Sequence, residues 1–116
     1  MSNEFNPTLT INKLESYNEQ IRKIADRLVV VRTELLALEK GKEDIIALFH
    51  ETHFPDAAEG KITMSAYERM LKHATRIEDI KIKGVKIRLS GLKEQMQVYE
   101  NENTNFRLIL KIESRL

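Results

Sequence analysis

Leu14 to Leu38 reads LESYNEQIRKIADRLVVVRTELLAL, and within it Leu14, Tyr17, Ile21, Ile24, Leu28, Val31, Leu35 and Leu38 fall at alternating spacings of three and four. That spacing keeps one side of an α-helix apolar and is the signature of a helix that packs lengthwise against another helix. With 41% of the residues hydrophobic, eight such positions would all be apolar by chance roughly once in a thousand trials. A second run, Ile82, Val85, Leu89, Leu92, Met96, Tyr99, Asn103, Phe106 and Leu110, repeats the pattern with one polar member. The fold class read from these seams is all-α: a long antiparallel helical hairpin, coiled-coil-like, that assembles into a homo-oligomeric helical bundle.

The bulk composition agrees with one narrow domain spanning 1–116. Charged residues make up 32% of the chain, and two prolines and four glycines leave long stretches free of helix breakers. Nineteen basic and eighteen acidic side chains leave a formal charge of +1, so electrostatic recruitment of any partner has to be local. Cysteine is absent, which removes disulfides, thiolate nucleophiles and cysteine metal sites together. No apolar run approaches eighteen residues and the N-terminus lacks a basic-then-apolar leader, so the expectation is a cytoplasmic protein, or one inside a host cell if viral, with no membrane partner.

The first helix is expected over about 8–52. Asn6 before Pro7 is a natural cap, Thr8 and Thr10 compete with it, and Pro55 is expected to stop the helix and drive Phe54 to extended geometry. Residues 53–63 then form the loop. The second helix is expected over about 64–113, opened by the Ser65-x-x-Glu68 capping box in preference to Thr63, with a possible break near 101–105, where Asn and Thr have low helix propensity. Folding the chain near residue 58 pairs positions that sum to roughly 117. Leu28 to Leu38 then lie beside Ile80 to Leu89, and Asn103 faces the region of Leu14, where a lone core Asn sets the register.

Each expected helix also carries apolar residues that its partner helix has no way to cover. On the second they are Ile77, Ile80, Gly84, Ile87, Gly91 and Val98, interrupted by Glu94 and lying well over about 100° around the helix from Ile82 and Val85. On the first they are Val29, Val30, Leu36 and Ala37. An isolated hairpin would expose both sets, which predicts self-association through them, most simply a homodimer forming a four-helix bundle. Gly84 and Gly91 each cost about 1 kcal/mol relative to Ala inside a helix, and their spacing lets another backbone approach closely or marks a kink.

The string Ile80 to Leu89 also alternates apolar and cationic residues as an edge strand does, with Gly84 as a bulge; the unbroken three-four spacing from Ile82 to Met96 favours helix. Over some twenty residues this string resembles the opening helix of tubulin-binding cofactor A, a small helical bundle, although there the motif begins the protein and here it lies in the last third.

Chemistry-bearing motifs are sparse. His50-Glu51-Thr52-His53 sets its histidines three apart, one short of the metalloprotease spacing, and has no evident further ligand beyond Glu51, Asp56 or distant His73; no metal or cofactor is expected. No phosphate loop follows a strand and no serine sits in a nucleophile elbow, so the chain reads as non-enzymatic. A basic stripe of Lys72, Arg76, Lys83, Lys86 and Lys93, broken by Asp79, occupies about a third of the second helix's circumference. It could follow phosphates, and the lysines also serve to flank and solubilise an apolar seam. The function expected is therefore a non-catalytic interaction or assembly protein: an adaptor, a virion or assembly component, or an inhibitor of a larger machine. It binds itself and another protein, as viral and bacterial accessory proteins often do. The alternative is a dimeric helical regulator that binds nucleic acid through the stripe.

Overall fold

The computed structural model describes residues 7–115 and is all-α, with three helices among them: α1 (Pro7–Ala58), α2 (Met64–Ala74) and α3 (Arg76–Glu113). Asn6, the expected cap, lies outside the described residues; Thr8 and Thr10 sit inside α1. The chain divides into two units, each drawing on α1 and α3. Among the described residues the first comprises 7–30 and 89–115, the second 31–88.

Every position of the two seams is buried or half-buried, while the residues between them are mostly exposed. In the first unit the core is Ile24 and Leu28 of α1 against the α3 seam, with Tyr17 packed between Tyr99 and Phe106 at centroid distances of 5.8 and 5.6 Å. Lys13 closes this ring cluster, its Nζ 5.5 Å from the Phe106 centroid. In the second unit the core is Val31, Tyr67, Ile82 and Val85. Burying each such aliphatic side chain is worth about 1.5–3 kcal/mol, which is why the three-four period dominates local propensity.

The partners across each unit run in opposite chain directions. In the second unit Glu34 meets Arg88 at 2.8 Å, Lys42 meets Asp79 at 2.6 Å and His50 meets Tyr67 at 2.8 Å. In the first unit the Asn103 amide donates to the side-chain oxygen of Asn18. The expected partner of Asn103 was the region of Leu14, so the true register is displaced by about one helical turn. Pairing two polar side chains explains it, because a buried amide left opposite leucine would have no acceptor.

The expected stop at Pro55 is corrected: α1 runs on to Ala58 with Pro55 inside its last turns. Only the Glu51 carbonyl loses its helical donor there, at an exposed position. Phe54 is held helical by its stack on His50 (4.3 Å) and its edge contact with Tyr67 (6.3 Å). Gly60 ends the helix instead. At φ +75 its N–H donates to Ala57 O (3.2 Å) while Lys61 N–H donates to Asp56 O (2.8 Å), the paired bonds of a Schellman cap.

Thr63, not Ser65, caps α2, its hydroxyl accepting the Ala66 N–H at 3.0 Å. The helix break also falls elsewhere than expected. Residues 101–105 are continuous helix: Gln97 donates to Asn101 (2.9 Å) and Asn103 is satisfied by Asn18. The interruption is at Thr75, whose backbone N–H and Oγ1 both donate to Leu71 O at 3.1 Å. At φ −102 and ψ 6 the Thr75 backbone leaves helical geometry, and this separates α2 from α3. The edge-strand reading of Ile80 to Leu89 is overturned, since all of it is helical.

Candidate interaction faces

The seams consume the inward sides of the helices, so what each unit offers is decided by the residues left outside. In the second unit α3 exposes Ile77, Ile80 and Ile87 at 64%, 61% and 66%, and α1 exposes Leu36 at 66% with Ala37 also exposed. Gly84 lies within the isoleucine stripe, and a Cβ added to it would meet nothing within 4 Å. Beside it a groove of about 520 Å³ opens between Glu34 and Leu38 of α1 and Lys81, Val85 and Arg88 of α3. In the first unit Val29, Val30 and Val98 are exposed, and Gly91 likewise has open space where a Cβ would stand. All ten residues expected at an oligomer interface are thus at the surface.

Lys72, Arg76, Lys83, Lys86 and Lys93 are also all exposed, and none forms an ion pair among the described residues. Between Ile80 and Lys93 the chain holds Lys81, Lys83, Lys86, Arg88 and Lys93 and no carboxylate. Arg88 alone is engaged, by Glu34. The outer stripe of α3 in the second unit is therefore apolar along its middle and cationic along both edges.

The three histidines do not gather at one point: His53 and His73 line one cleft, and His50 is not among its lining residues. His50 shares its bond with the Tyr67 hydroxyl and stacks on Phe54, while the His53 ring packs against Phe49 at 4.5 Å. Among the described residues no three His, Asp or Glu side chains gather as a metal ion would require, and no helix is long and apolar enough to cross a membrane. What the sequence reading missed is the density of rings at this end of the second unit. Tyr67, only 6% exposed, contacts Phe49, His50 and Phe54 at 5.3, 6.2 and 6.3 Å. The available signal was Phe49, His50, His53 and Phe54 at helical spacing. Comparison with protein-family models, curated proteins and solved structures finds no match to this chain.

Proposed function

We propose that this chain is a non-catalytic interaction or assembly protein, a coiled-coil-like helical hairpin that self-associates into a bundle and presents the assembled surface to another protein. The observation that carries the reading is the isoleucine stripe of α3, three large apolar side chains about two thirds exposed around a glycine with open space above it. Contiguous apolar surface of this kind marks interaction sites in soluble proteins, and a helix-interior glycine that relieves no internal clash gains its use from a backbone arriving from outside.

Charge narrows the geometry of the dimer. Two copies joined α3 to α3 would set Lys81, Lys83, Lys86 and Arg88 against themselves, whereas α1 beside Leu36 and Ala37 carries Glu39, Glu43 and Asp44 together with Arg32 and Lys40, a surface of mixed sign. A two-fold arrangement with α3 of each protomer on α1 of the other avoids the repulsion. Light scattering behind size exclusion tests this. The expected result is an oligomer that becomes a folded monomer when Ile80→Glu and Ile87→Glu are combined; a monomeric parent protein would end the self-association reading.

A second reading, binding of nucleic acid along Lys72 to Lys93, is favoured by the five cations without a carboxylate between Ile80 and Lys93. It predicts salt-dependent retention on DNA or RNA that is lost when Lys83, Lys86 and Lys93 become Glu.

A further inference from the structure

Within the second unit, a cleft of about 600 Å³ opens between the end of α1 and α2, with no residue of the isoleucine stripe in its lining. Its floor is Phe49 of α1 with Ala66, Met70 and Ala74 of α2, and its rim is His53, Arg69 and His73. No Asp or Glu lines it. The floor is fixed from behind, because Phe49 packs at 5.3 Å on the buried Tyr67 ring and at 4.5 Å on His53. Met70 remains 39% exposed above it.

We infer that this cleft is a docking site for an acidic amphipathic helix of a partner protein. Ala66, Met70 and Ala74 recur every four residues on one face of α2. They make a strip of small, large and small side chains about 12 Å long, two helical turns. That length matches the anchors at i, i+3 or i+4, and i+7 through which an amphipathic helix enters a groove. The small alanines leave hollows for large apolar anchors, and the flexible methionine adapts to their shape. Arg69 is a permanent cation with a forked donor set, and the two imidazoles add ring N–H donors, so carboxylates flanking the anchors find partners while lysines would meet only repulsion. This gives a place and a chemistry to the partner-binding half of the proposed function and does not depend on the self-association half.

The test titrates the full-length protein into a fluorescein-labelled synthetic helix with leucines at heptad spacing and glutamates on the flanks, and into the same helix with lysine in place of glutamate. Anisotropy should report binding of the glutamate helix only. Arg69→Glu should weaken it by about tenfold or more and Met70→Asp should abolish it, while the combined Lys83→Glu, Lys86→Glu variant binds as the parent does. Arg69 and Met70 are exposed, so both variants should keep the parent's far-UV melting curve. Equal binding of the two helices, binding of neither, or indifference to Arg69→Glu would overturn the assignment. The mass of the same samples in solution reads self-association separately, so failure of one half of the function is distinguishable from failure of the other.

Discussion

At the scale of single residues, the polar side chains drawn into the interior separate by whether they are satisfied. Asn103, 5% exposed, has its amide bonded to Asn18. Glu78 has a half-buried side chain whose Oε2 is shut away from solvent with no hydrogen-bond partner, while its neighbour Asp79 takes the Lys42 ammonium at 2.6 Å. A buried carboxylate oxygen without a donor is destabilising, so Glu78→Leu should raise stability by about 1 kcal/mol or more, measured by urea denaturation. The opposite sign is expected at the satisfied pair. Asn18→Ala leaves the Asn103 amide without its acceptor and should cost about 1 kcal/mol, whereas adding Asn103→Leu to that variant should restore the loss by removing the orphaned amide. The seam spacing made Asn103 stand out in the sequence; its partner did not, because Asn18 lies one position outside the seam.

At the scale of elements, two local devices set the join between α1 and α2. Gly60 holds a positive φ that a side chain opposes, so Gly60→Ala should cost about 1 kcal/mol and fray the end of α1. Thr63→Ala removes the acceptor for the Ala66 N–H and should cost a similar amount, about 1 kcal/mol. Thermal melts followed by circular dichroism read both. Ser65→Ala, which deletes the cap expected from the capping-box pattern, should leave the melt unchanged. Pro55 misled the sequence reading because proline's penalty was weighed without the stack of Phe54 on His50 and its edge contact with Tyr67 of α2, which together hold the turn helical. Thr75 was missed for a related reason. A single threonine between two helical stretches is unremarkable in the sequence, and only its φ −102, ψ 6 backbone in the fold marks the interruption.

At the scale of the whole molecule, stability and association respond to the same substitutions with opposite signs. Gly84→Leu and Gly91→Leu place side chains where the chain itself offers no obstruction, so each should leave the fold intact and raise helix stability by up to about 1 kcal/mol. If another backbone approaches these glycines, the same pair of changes lowers the mass in solution to that of a monomer; a higher melting point with an unchanged mass would refute close approach.

The sequence by itself determined the all-α class, the inward seams of both long segments and the outward placement of Ile77, Ile80, Ile87 and Leu36. All of these follow from one periodic rule that burial enforces over many turns, and a period accumulates signal with length. Only the tertiary structure decided the register that sets Asn103 on Asn18, the survival of α1 past Pro55, the break at Thr75 and the basic-rimmed cleft over Phe49 and Met70. The register, the run past Pro55 and the cleft depend on contacts between separate helices and the break at Thr75 on one residue's backbone geometry, where a few contacts outweigh the small local propensities that a sequence displays.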